Sequence, residues 1–149
     1  MKTKLVMSAV VALALAAAGC GGGSKTLSKE EYGAKLNKIC ADLNAKNKEI
    51  GEPSSLGEVA AKGDRLLAEF DKAIAKAKKL KPPDEIKDAA NRFISLGDQE
   101  RGLISDLIDA AKKKDSAKIA ELGAKIDPLD KESNDIAKNQ LGAPACAQG

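Results

Sequence analysis

The chain has no histidine and no tryptophan, and its chemistry must come from carboxylates, lysines, hydroxyls and three cysteines. A hydrolytic nucleophile needs a base beside it. Without histidine the Ser-His and Cys-His arrangements are excluded. Composition alone leaves Ser-Lys chemistry open, but no S-x-x-K stands in a context that predicts a strained turn. Paired carboxylates serve glycosidases, and 22 acidic residues are present. Nearly all of them fall on the polar faces of predicted helices, where they read as solvated charge. No catalytic residue is assigned. Asp130-x-Glu132-x-Asn134 has the alternating oxygens of a calcium loop. It lacks the obligatory glycine, replaced by Asp135, and Leu141 stands where the bidentate Glu belongs. No glycine-rich phosphate loop with its Lys-Ser/Thr occurs. Metals and cofactors are therefore not expected.

Three arginines, Arg65, Arg92 and Arg101, stand among many lysines. Arginine suits a desolvated, bidentate carboxylate pair. Folding the second and third helical segments about Pro82-Pro83 places Arg65 opposite Glu100. Gly63 and Gly97 interrupt the same apolar stripes, each at a cost of about 1 kcal/mol against alanine. Two expectations follow. One is a surface ion pair beside closely packed helices. The other is a polar-lined pocket in which Arg65 and Glu100 are the ligand-binding pair and Arg65 grips an acidic ligand. Aromatic platforms for sugars or bases are scarce: Tyr32, Phe70 and Phe93 are the only aromatics, and both phenylalanines fall on core stripes.

The N-terminus bears on what the cysteines can do. Lys2 and Lys4 precede an apolar run from Leu5 to Ala18, which ends in Ala17-Ala18-Gly19-Cys20. A run of about 14 residues is shorter than the roughly 20 a spanning helix needs. A charged start, a short apolar core and small residues before the break describe a secretory signal peptide over 1–19. Small residues followed by cysteine resemble the lipobox of bacterial lipoproteins. That resemblance implies cleavage before Cys20 and lipid on its thiol, leaving the chain anchored to the outer face of the cell membrane. Ala17 stands where leucine is more usual, so cleavage after Ala18 to give a soluble chain is the alternative. Two of the 25 Lys and Arg lie in the leader, leaving 23 against 22 acidic groups, a net of +1. That balance gives no argument for nucleic acid. Cys40 and Cys146 remain. In an exported chain an even pair usually forms a disulfide; two buried free thiols are the alternative. A thiolate metal site would need partners that the mature chain does not offer, and no C-x-x-C redox motif is present.

Four helical segments must position these residues. After the tether at 20–27, Ser28-x-x-Glu31 is a capping box. Tyr32, Leu36, Ile39, Leu43 and Ile50 follow on one face, with Lys46 breaking the stripe and Asn47 beside it. Gly51 and Pro53 end that helix. Ser55-x-x-Glu58 opens the second, whose stripe runs from Leu56 to Leu80 and stops at Pro82-Pro83. Asp84, Glu85 and Asp88 start the third, which Lys112-Lys113-Lys114 closes with the charge that suits its dipole. Asp115 caps the fourth, and Pro128 inside it predicts a kink or break. Short connections between long helices predict an all-α, antiparallel up-down-up-down four-helix bundle over 28–149. Cys40 lies roughly 18 Å along the first helix. The five residues Gly142 to Cys146 reach roughly 17 Å when extended, so a disulfide requires an extended tail.

Ile39-Cys40-Ala41-Asp42, Leu80-x-Pro82-Pro83 and the small-residue tail around Cys146 resemble a group of small actinobacterial exported proteins. The resemblance implies a two-cysteine helical bundle and brings no established activity. Residues and resemblance together lead to a non-catalytic, lipid-anchored module of the cell envelope. Its partners would be the membrane through the lipid and an envelope protein. The alternative is a carrier binding an acidic or apolar small ligand inside the bundle, and a weaker third is an enzyme using carboxylates alone.

Overall fold

A computed structural model describes residues 26–147, and the leader and Cys20 lie outside them. Four helices follow in order: α1 Lys29–Ile50, α2 Leu56–Ala77, α3 Lys87–Lys112 and α4 Ser116–Asp135. A 3-10 turn, Asp84–Ile86, leads into α3. A π-helical segment, Ile136–Gln140, extends α4, and a 3-10 turn, Pro144–Ala147, forms the tail. The described residues are all-α, with α1 packed on α2, α2 on α3 and α3 on α4.

The caps expected from sequence set these boundaries. Ser28 and Glu31 form a reciprocal capping box, each side chain satisfying a free N–H at the start of α1. Ser55 accepts from the Glu58 amide, but the Glu58 carboxylate turns to Ser54 instead, at 2.7 Å from its N–H and 2.6 Å from its hydroxyl. Asp115 accepts from the Lys118 amide at the start of α4.

Pro128 does not break α4, whose helical backbone runs through it. A proline at 128 removes the hydrogen bond to the carbonyl of Ala124. Ala124, Asp127 and Pro128 are all exposed, so water can satisfy that carbonyl. The opposite face, with Leu122 and Ser133 buried, keeps the helix seated. The departure from α geometry comes later, in the π turn at Ile136–Gln140.

The tail does not run extended, as the sequence argument required. Leu141 is fully buried, and its carbonyl lies against Gly33 of α1, where a Cβ would come within 2.5 Å of it. The chain thus reaches α1 seven residues before Cys40, roughly 10 Å away at 1.5 Å per residue. A compact turn covers that distance. Gly142, at φ +66, makes the bend. The Ala145 N–H donates to Asn37 at 2.7 Å, and Asn44 donates to the Ala145 carbonyl at 2.9 Å. Cys146 then bonds to Cys40 across a Cα separation of 4.9 Å. The tail packs on both α1 and α4 and joins the two helices.

Two packed regions result. Tyr32, Leu36, Ile86, Leu96 and Leu141 form the core at the tail end. Towards the other end, Ile108 and Leu122 are buried, and Gly63 lets α2 approach α3 so closely that a Cβ would meet Ile108 at 2.6 Å.

Candidate functional site

Between these regions the bundle is not filled. A cavity of about 270 Å³, partly open to solvent, is bounded by all four helices and by Cys146 of the tail. Leu36, Ile39 and Leu43 of α1, Phe70 and Ile74 of α2, and Phe93, Ile94 and Ile104 of α3 supply its apolar walls. Phe70 and Phe93 are therefore cavity-lining side chains and only half-buried, rather than central core.

The polar lining comes from Asn44 and Asn47 of α1, Glu100 of α3, and Asp130, Ser133 and Asn134 of α4. Glu100 is 7% exposed, and its Oε1 is buried without a hydrogen-bond partner. The Oδ1 of Asn47 is in the same condition. Asn44 is committed to the tail, and Ser133 donates to the Asp130 carbonyl at 3.4 Å.

Burial disfavours the charged form of a carboxyl, and so does a second carboxylate nearby. Burial pushes Glu100 up to about 7; Asp130 adds to the rise and the Ser133 hydroxyl offsets part of it. Asp130 itself is raised, by burial first and then by Asp127. No lysine or arginine lines the cavity.

Helix periodicity explains how a charged side chain comes to face inward. Phe93, Gly97, Glu100 and Ile104 follow four-three-four spacing and share one face of α3. On α1, Leu36, Ile39, Cys40, Leu43 and Asn47 do the same. Asn47, not Lys46, continues the inner stripe, and Lys46 pairs at the surface with Glu49 at 2.7 Å. A glutamate and an asparagine on apolar stripes are the sequence signals that could have marked this cavity, and the expected Arg65–Glu100 pair did not draw on them.

The expected meeting of Arg65 and Glu100 does not occur. Asp64 pairs with Lys112 at 2.9 Å, Asp71 with Arg101 at 2.9 Å and Lys78 with Asp98 at 2.7 Å. The two helices therefore fold about Lys87 rather than about Pro82-Pro83, because the 3-10 turn at Asp84–Ile86 delays the start of α3. Arg65 lies level with the region of Ala110, roughly 15 Å along α3 from Glu100. It is exposed, in a surface hollow with Lys46, Glu49 and Glu69.

The bidentate pairs fall to the other arginines. Arg92 holds Glu132 at 2.6 and 2.7 Å, and Arg101 holds Asp71 at 2.9 and 3.1 Å. Both pairs are exposed and contribute little individually. Glu132 thus turns to Arg92, while Asp130 and Asn134 line the cavity. Among the described residues, no group of three or more Cys, Asp or Glu side chains is placed to hold a metal ion.

Comparison with protein-family models, with curated proteins and with solved structures gave no match.

Proposed function

We propose that the chain is a lipid-anchored, non-catalytic binding protein that holds a small molecule in the interior of its bundle, on the outer side of the cell membrane. The observation that carries this reading is the cavity among four helices with a buried, unpartnered Glu100 oxygen in its lining. Protein interiors pack densely, and buried polar groups find partners. A site that breaks both rules at once is a natural place for a ligand with an apolar body and a polar group. The volume lies just under the usual range of roughly 300–1,000 Å³ for ligand pockets, so the ligand is small.

The surface favours this reading over a protein adaptor. Among the described residues the one exposed large hydrophobic side chain is Leu56. A protein interface needs an apolar core, commonly aromatic, and the aromatics here face inward.

The anchor rests on the leader, which resembles that of a lipoprotein. No helix among the described residues is long and apolar enough to cross a membrane. The Leu27 amide bonds to the Lys81 carbonyl at 3.0 Å, so the tether enters at the end of the bundle where α2 stops. Only seven residues separate Cys20 from Ser28, so lipid on Cys20 would keep the cavity close to the bilayer.

Native mass spectrometry of the protein extracted from its own membranes tests both parts. The expected spectrum shows lipid mass on Cys20 and a further small molecule that leaves on collisional activation. Protein that is bare under every mild extraction would refute the carrier reading, and an unmodified Cys20 would refute the anchor.

A further inference from the structure

The cavity's lining has a definite chemical sense. Two of its polar atoms are buried acceptors without a donor, the Oε1 of Glu100 and the Oδ1 of Asn47. The other amide whose bonding is defined, Asn44, spends its N–H on the tail. The titratable groups that face the cavity are Glu100 from α3 and Asp130 from α4, with Asp127 next to Asp130 along the same helix. From α1, α2 and the tail come only asparagines, apolar side chains and the disulfide sulfur of Cys146. The arginine nearest Glu100 in sequence, Arg101, is turned outward to Asp71.

We propose that the cavity takes a small organic cation, an ammonium group on an apolar body, with Glu100 as its counter-ion and Asn47 as a second acceptor. This deepens the carrier reading and rests on it. An ammonium brings several N–H donors and a positive charge, which a buried carboxylate and a carbonyl oxygen both lack here. The hydrocarbon body meets Leu43, Phe70, Phe93 and Ile104. An acidic ligand would set its charge against buried Glu100, where like charges repel more strongly than in water, with Asp130 adding to the negative charge at the exposed edge. A neutral alcohol would donate one hydrogen bond and leave the second acceptor bare. A bare metal ion would leave the apolar walls unused. The protonation of Glu100, pushed up to about 7 by burial, adds a pH dependence: the counter-ion is present above neutrality and withdrawn below it.

The test uses matched probes on the mature protein with its disulfide intact. Butyl-, hexyl- and octylamine are compared with the corresponding alcohols and carboxylates by calorimetry and protein-observed NMR at pH 8.5. At least one amine should bind about tenfold or more tighter than its alcohol, with carboxylates weakest. The amine advantage should shrink at pH 5.5. Glu100→Gln should abolish it, while an amide NMR spectrum unchanged outside the cavity shows that the fold survives the substitution. Equal binding of amines and alcohols would overturn the cation assignment and leave the carrier reading standing. Binding of no probe in any class would overturn both. Tightest binding of carboxylates, or an amine preference that persists in Glu100→Gln, would overturn the role given to Glu100.

Discussion

Replacing Cys40 and Cys146 together by serine should lower the stability of the folded domain by about 3–5 kcal/mol. The bond joins residues 106 apart in sequence. A cross-link over a loop of roughly 100 residues restricts the unfolded chain by about 4.7 kcal/mol in the chain-entropy treatment, and removal of native bridges typically costs about 2–5. The bond also pins the tail that joins α1 to α4. Its loss frees Asn37 and Asn44 from Ala145 and removes one wall of the cavity. Urea unfolding would register the change as a midpoint lower by about 2 M, given slopes of about 1–3 kcal/mol/M. Amide exchange should rise first along the tail and the adjoining face of α1. A midpoint within about 0.3 M of the parent would mean that the tail is held by its hydrogen bonds and by buried Leu141 alone.

Glu100→Gln should stabilise the empty protein at pH 8 and leave it nearly unchanged at pH 4. The carboxyl is held at about 7 in the folded state against 4.5 without the fold. A raised acid is most compatible with the fold while it is protonated. Its penalty is absent below about pH 4.5, grows as pH rises and is complete above about 7, where it amounts to about 3 kcal/mol. Opposite in sign are Glu58 and Glu121, each held at about 2. Hydrogen bonds from Ser54 and then Lys62 lower Glu58, and those from Lys125 and Lys118 lower Glu121. They favour the fold above pH 4.5 and lose their effect as pH falls towards 2. The parent should therefore be most stable in mildly acid solution and weaken through neutrality, while Glu100→Gln keeps its stability there. Parallel pH curves for the two proteins would show that Glu100 is not desolvated. A group that destabilises the empty fold where a ligand would pair with it is the pattern expected when stability yields to function.

Local chemistry made most of the helix boundaries legible. Ser28, Ser55 and Asp115 cap where their residue types predict, and Pro82-Pro83 keeps α2 and α3 apart. The helix register was not legible, because it depends on how many residues the 3-10 turn at Asp84–Ile86 consumes before α3 begins. That miscount put Arg65 beside Glu100. Sequence context marks Glu100 as a site residue but gives it the wrong partner, although its place between Gly97 and Ile104 already sets it on the apolar stripe. Asn47 was visible in the same way, one position from Lys46. The need for glycine at Gly33 arises from a tail more than 100 residues away and leaves no local trace. The continuity of α4 through Pro128 depends on which face meets water, which only the assembled bundle decides. The Cys40–Cys146 bond followed from an expectation of export and an even count, yet the path of its tail did not.

The proposed pairing of the buried Glu100 carboxylate with a small organic cation is the step on which the reading as a carrier of cations depends. Its most direct test is an NMR titration of the Glu100 side-chain carboxyl carbon, with and without hexylamine at saturation. A midpoint near 7 is expected in the empty protein. With the amine bound, the midpoint should fall by at least about one pH unit, because a cation beside the carboxylate favours its charged form. A Glu100 that titrates near 4.5 in the empty protein, or one whose midpoint does not move when the amine is present, would contradict that pairing.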